Sequence, residues 1–281
     1  MKRILIALAL LLPMSAWGQN FSGRASAGVD VKLAKGLHLS AQEELRTSDG
    51  FSGLGSMRTT VGLNYKPFTF LKVGIGGTLI NPFKNGKTLS YTDSDGNEVS
   101  YDYTGFWAPK YRLFADVTGH YRLGDFQFSL KEKLQLTHNS DLDMNVYQST
   151  RNALALKSKV GVKYKRFSWI EPGLYFELRT ALNDPWGTYD STQKGTSDTK
   201  GTYYAYTPSG YTHVYNTRYR INLEADIQFD RHHTLTPYFL LDYLSEYVLD
   251  TNKSGTKYFV NSTHYAEGWY PCVGLSYVYK F

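Results

Sequence analysis

One cysteine in 281 residues, Cys272, leaves no partner for an intramolecular disulfide, so the fold must hold without covalent staples. Past residue 18 the chain also lacks any continuous apolar run, and a membrane-crossing helix needs about 20 such residues. A block of like charge is missing too. The 31 Lys+Arg and 25 Asp+Glu give a formal charge of +6 that is spread along the chain, which argues against nucleic acid as a partner. A mean hydropathy of -0.40 still leaves the membrane open, because a closed barrel satisfies every backbone group between strands.

The N-terminus does carry an apolar run, from Ile4 to Leu12. Lys2-Arg3 precede it, and Pro13 and Ala16-Trp17-Gly18 follow. A charged start, a short apolar middle and small residues at the cut site read as a secretion signal. Residues 1–18 are therefore expected to be cleaved, leaving 19–281 as one domain. No cysteine lies near the cut site, which argues against a lipoprotein.

Aromatic residues are abundant, at 16% with 24 tyrosines, and much of the chain alternates with a period of two, the mark of a two-faced strand. Leu113, Ala115, Val117, Gly119 and Tyr121 alternate with Arg112, Phe114, Asp116, Thr118 and His120; Ile221, Leu223, Ala225 and Ile227 alternate with Arg220, Asn222, Glu224 and Asp226. Long helices find no support. Short turns are expected near Ala34-Lys35-Gly36, Lys66-Pro67, Leu123-Gly124, Lys165-Arg166 and Asp230-Arg231, and longer polar loops over 48–55, 81–107, 139–150, 183–213 and 249–265. Alternating short turns and long loops belong to outer-membrane barrels. Tyr65, Phe68, Phe70, Tyr121, Phe126, Tyr164, Phe167, Trp169 and Phe229 sit beside the short turns as one girdle. Tyr103, Phe106, Trp107, Tyr111, Tyr215, Tyr247, Trp269 and Tyr270 are expected to form the other.

The last strand ends in outward Tyr277, Tyr279 and Phe281, like the terminal signal by which barrel-assembly machinery recognises its clients. The expected fold is all-β: an antiparallel transmembrane β-barrel of about 10–12 strands, with short periplasmic turns and long extracellular loops. A soluble β-sandwich or lipocalin-like barrel shows the same alternation with its faces reversed; the signal, the girdles and the aromatic terminus favour the membrane. Eleven strand-like runs sit badly with the even number usual in bacterial barrels. Either the segment from residue 21 lies in the lumen, or residues 21–47 make one crossing, or a strand is missing from the reading.

The polar parity then lines the lumen with charges of both signs. Barrels of this size are narrow enough for side chains to fill, so the lumen reads as a plug of paired charges or, less simply, as a small porin-like pore. Lys157, Lys159 and Lys163 make one wall basic. Asp116 sits opposite Lys131 if Leu123-Gly124 is the turn. Cys272 reads as a small inward-facing filler.

Ser129, His120 and Asp116 could be assembled into a catalytic triad, but they lie deep in the lumen where substrate does not reach, and a structural polar network accounts for them. His232-His233 reads as solvated turn. Asp93-Ser94-Asp95-Gly96 and Asp141-Leu142-Asp143-Met144-Asn145 space oxygen ligands as calcium loops do but lack the rest of that pattern. Asp95-Gly96 reads better as a hairpin tip. Gly74-Ile75-Gly76-Gly77 lies on a strand and is no nucleotide loop. No catalytic, cofactor or metal residue is assigned. The tyrosines of 183–213 suit either an extracellular ligand or a belt on lipid headgroups.

Leu37–Arg46, the stretch Tyr219–Tyr238 with its Asp230-Arg231-His232-His233 turn, and Val273–Phe281 together resemble the Bacteroidota-type outer-membrane barrels catalogued as domain of unknown function 2490. The resemblance spans nearly the whole mature chain and implies a Gram-negative outer-membrane location and a barrel, with no catalytic residue to carry over. The expected function is an integral barrel in contact with outer-membrane lipid, acting as a structural, narrow-pore or loop-binding protein. The alternative is an outer-membrane hydrolase acting on lipid or surface substrate.

Overall fold

Alternation with a period of two becomes, in the computed structural model, a nearly all-β protein; residues 21–92, 96–140, 149–197, 201–254 and 256–281 are described. The signal segment 1–18 and the acidic runs 93–95 and 141–145 fall outside them. Twelve strands follow in order: β1 (Ser22–Ala34), β2 (Leu37–Thr47), β3 (Leu54–Phe68), β4 (Leu71–Thr92), β5 (Glu98–Phe106), β6 (Lys110–Leu123), β7 (Phe126–Asn139), β8 (Asn152–Tyr164), β9 (Ile170–Ser197), β10 (Gly201–Gln228), β11 (His233–Ser254) and β12 (Lys257–Lys280). All but β5 close into an 11-stranded barrel, and β5 pairs only with the outer part of β4.

An odd number of alternating strands makes the first and last point the same way, so the closing pair is parallel. The register runs from Ser22↔Cys272 to Asp30↔Lys280, and the Phe281 amide donates to the Asp30 carbonyl at 2.9 Å. Eleven strands lie within the expected 10–12, and the one correction is this parallel seam in a barrel expected to be antiparallel throughout. Both β1 and β2 belong to the wall, and none of the three proposed escapes is needed. Every other neighbouring pair of the barrel is antiparallel.

Burial settles which face is which. Leu113, Val117, Leu130 and Leu223 are 65%, 42%, 53% and 51% exposed, while the neighbours Asp116 and Thr118 are 9% and 7% exposed. An apolar belt outside and a polar core inside reverse the arrangement of a soluble barrel, and suit only lipid around the strands. The girdle at the short-turn end forms as expected, with ring contacts Phe68–Phe70 at 5.4 Å, Phe126–Tyr164 at 5.1 Å and Tyr279–Phe281 at 4.5 Å. At the other end Tyr219, Tyr243 and Trp269 form the contacting set. Tyr270 faces inward beside Gly268, and Tyr215 and Tyr247 belong to a separate aromatic cluster, so these three leave the expected outer girdle.

Two turns differ from expectation. Leu123 pairs with Phe126, so the turn is Gly124-Asp125, with Gly124 at φ 58° in the first central position, where a type II′ hairpin requires glycine. The register moves by two residues, and Asp116 stands opposite Lys133 rather than Lys131. At Lys66-Pro67 the chain stays in β3, through an irregularity between Tyr65 and Phe68, a position that tolerates proline; the turn is Thr69-Phe70. Gly76 in the Gly74–Gly77 run makes room for the inward Phe114 ring, which lies 2.5 Å from where a Cβ would sit.

The expected long loops are largely strand. A strand crosses a bilayer in about 9–11 residues, whereas β9 and β10 have 28 residues each, β11 has 22 and β12 has 24. Past the membrane, β10 and β11 part company. The β9–β10 and β11–β12 hairpins then rejoin through Tyr204↔Val260, Ala205↔Phe259 and Tyr206↔Tyr258, giving a four-stranded cap in the order β9-β10-β12-β11. Its core is Tyr206, Leu249 and Val260, with Tyr204, Tyr247 and Tyr258 packed around them. The outer part of β4 and β5 likewise form a hairpin, pairing Phe83–Thr92 with Glu98–Phe106, with Gly96 in the connection as the sequence suggested.

Candidate functional site

Three groups of side chains stand out: an ion-pair layer on the lumen wall, a lysine-rich chamber at its short-turn end, and an aromatic cluster where the hairpins diverge. In the layer, Arg220 grips both oxygens of Asp242 (Nε to Oδ1 2.5 Å, a terminal nitrogen to Oδ2 2.6 Å). Arg24 lies 4.0 Å from the same carboxylate. Glu177 accepts from Arg218 at 2.8 Å and has Arg220 at 3.7 Å and Lys157 at 3.8 Å. Arg46 donates to Glu44 at 2.5 Å. None of these side chains is more than 23% exposed. Short-range alternation explains why they meet: each lies on the inward parity of its strand, and guanidinium forks suit bidentate pairing with carboxylates.

Cations outnumber anions in this layer. Arg58 stands among Arg46, Arg112 and Arg24 with Glu44 as its nearest acid, and the Nε atoms of Arg58 and Arg218 are buried without a hydrogen-bond partner. The inward charges expected from the sequence all fall on the lumen side. The sequence offered a register only for β6 and β7, and could not show which of the other charges pair. Cys272 is 1% exposed among them, a buried free thiol as expected.

At the short-turn end a cavity of about 330 Å³ is lined by Lys72, Thr118, His120, Gln127, Ser129, Lys131, Lys159, Lys163, Lys165 and Tyr175. Lys163 pairs with Asp226 and, at 3.2 Å, with Glu224; Lys165 pairs with Glu171; Lys131 lies 3.0 Å from Asp116. His120 and Ser129 stand directly opposite on β6 and β7, but His120 Nδ1 is buried without a partner and Asp116 is engaged by Lys131. The triad's residues are neighbours without the relay of hydrogen bonds that defines one.

In the cap, Trp186, His213, Tyr215, Tyr247 and Tyr265 fill the cleft where β10 leaves β11. Ring centroids are 4.4 Å apart for Trp186–His213 and for His213–Tyr215. Tyr215 donates to Asp184 at 2.7 Å and accepts from the edge amide of Tyr247 at 3.0 Å. Burial and the Asp184 carboxylate push the Tyr215 phenol up, and burial pushes the His213 imidazole down. Tyr189 and Tyr265, 54% and 45% exposed, present faces to the outside.

His232 and His233 are bound rather than solvated. Their amides donate to Asp230 at 2.7 and 2.9 Å, His232 Nδ1 meets the Lys280 carbonyl at 2.7 Å, and His233 Nδ1 meets the Tyr277 hydroxyl at 2.6 Å. The turn is thereby tied to the last strand. Among the described residues no group of three or more His, Cys, Asp or Glu is arranged to hold a metal ion. One feature went unread in the sequence although its signal was there: Glu132 falls on the lipid-facing parity between Leu130 and Leu134, where Ser158 of β8 donates to it at 2.6 Å.

No family model and no curated protein matches the sequence. Among solved structures, the chain is similar to one titled outer-membrane expressed OmpT of Vibrio cholerae, at 11% identity and a TM-score of 0.33, over 86% of this chain and 64% of that one. It therefore spans less than two thirds of that protein's length.

Proposed function

We propose that this chain is an integral outer-membrane barrel whose lumen is closed by its own ion pairs, a scaffold that holds the four-stranded cap outside the cell rather than an open pore. The observation that supports the reading is the layer of Arg24, Arg46, Arg218, Arg220, Glu177 and Asp242, which lines the inner wall from β2 round to β9 and is largely buried. Eleven strands enclose little more than such side chains occupy. In this reading the leader 1–18 is removed on export, the apolar belt contacts outer-membrane lipid, and the assembly machinery reads the strand ending at Phe281. The likeness to the domain of unknown function 2490 barrels belongs to the same proposal. Exposed Tyr189 and Tyr265 offer contact area to an extracellular ligand at little entropic cost. The reading includes no catalytic step.

Planar-bilayer recording on refolded protein tests it. The wild type should give no discrete channel openings. Regular, sustained openings would replace the scaffold with a pore. A lipid-hydrolysis assay on the same sample should be silent; turnover would favour the hydrolase.

A further inference from the structure

The cross-strand register of β7 and β8 sets like charges face to face on the inner wall: Lys131↔Lys159 and, one inward step along, Lys133↔Lys157. Directly opposed like charges destabilise an antiparallel pair. Lys131 and Lys157 have carboxylates, Asp116 at 3.0 Å and Glu177 at 3.8 Å, and Lys133 lies 3.5 Å over the Phe114 ring. Lys159 lies 3.8 Å from the Tyr175 ring and stands opposite Glu177 of β9 without forming an ion pair with it. On the same rung, Lys72 pairs with Thr118 and Thr118 with Lys131. Among the described residues neither Lys72 nor Lys159 has a carboxylate within the 4.0 Å of an ion pair.

Lys72, Lys131 and Lys159 therefore line one rung of the 330 Å³ cavity, with the hydroxyl groups of Thr118 and Ser129 beside them. Gln127 and Lys165, at the turns, place the mouth of that cavity at the short-turn end. Two ammonium groups beyond ion-pair distance of any described carboxylate suit a doubly charged anion, and a tetrahedral oxyanion can take donors from several directions at once.

The geometry points to an oxyanion-binding site in this chamber, for a free, doubly charged phosphate-class anion that enters from the short-turn side. The site does not depend on the ion-pair layer being closed, since the anion need not pass it. Inorganic phosphate and pyrophosphate are the probes. Thermal unfolding of the refolded full chain in detergent should shift upward and saturate as either is added, while chloride at equal ionic strength should give only the small, unsaturating change of general screening.

Lys72→Gln with Lys159→Gln should abolish the saturable shift and, without added anion, should melt no lower than the wild type, because a like-charge pair has been relieved. Lys35→Gln with Lys257→Gln, in the β1–β2 turn and at the start of β12, serves as the charge-matched control and should keep the shift. The site is overturned if chloride matches phosphate, or if the double variant still saturates at the same concentration. Failure of this test with silent bilayers would leave the scaffold reading standing, and channel openings with intact binding would do the reverse.

Discussion

Asp242 takes both prongs of a guanidinium in the lumen, and replacing it measures whether the ion-pair layer holds the barrel together. Asp242→Leu strands Arg220, whose two nitrogens lie 2.5 and 2.6 Å from the lost oxygens, and leaves Glu177 to serve Arg218, Arg220 and Lys157 alone. Removing one partner of a buried pair costs about 3–5 kcal/mol. Arg220→Met should cost less, about 1–2 kcal/mol, because Asp242 keeps Arg24 at 4.0 Å, a separation worth ~4 kcal/mol at an effective dielectric near 20. The double variant removes both charges and should return to within about 1 kcal/mol of the wild type, as swaps of buried pairs for apolar side chains do. Urea titration of folded protein in lipid, followed by tryptophan fluorescence and by heat-modifiable gel mobility, reads all four species. Equal losses in the two single variants would refute the surplus of positive charge. Additive losses in the double would refute the pairing itself.

On the lipid face, Leu223→Arg should destabilise the barrel by about 2–4 kcal/mol if it lies near the midplane, measured by the same titration, and Leu130→Arg should cost less because Glu132 lies two residues along the same face. At the terminus, deleting Phe281 or converting Tyr279 and Phe281 to Ala should lower the amount of folded, membrane-integrated protein in cells; an unchanged heat-modifiable band would remove the terminal strand's role in assembly.

Period-two alternation was enough to expose the strands and their two faces, while the N-terminal signal, the girdles and the aromatic terminus were needed to turn the apolar face outward. The inward charges from Arg24 to Asp242 followed from the same parity. Register was another matter. A two-residue shift at Gly124 keeps every side chain on its face, so alternation cannot detect it, yet it moved Asp116 from Lys131 to Lys133 as cross-strand partner. The ion pair to Lys131 survives as a diagonal one. The cap was missed for a related reason. In 183–213 and 249–265, Gly, Ser and Thr dilute the alternation, and several register irregularities in β10 break its phase, so strand read as loop. Glu132 was legible and passed over, because the leucines beside it set the expectation for the whole face.

Parallel ladders are slightly weaker per residue than antiparallel ones, and among the described residues the one parallel pair, β1 with β12, is also where the wall joins its two ends. Outside that seam stand small residues, Ala25 and Ala27, which offer little contact to lipid or neighbours. Inside it, Arg24 of β1 reaches over β12 to Asp242 of β11, and Arg24 and Arg46 sit within each other's field beside Arg220. Arg24 is thus tied to an acid on β11, across the seam, while Arg46 is held by Glu44 on its own strand. Loss of Asp242 should therefore loosen β1 at the parallel seam before any antiparallel pair.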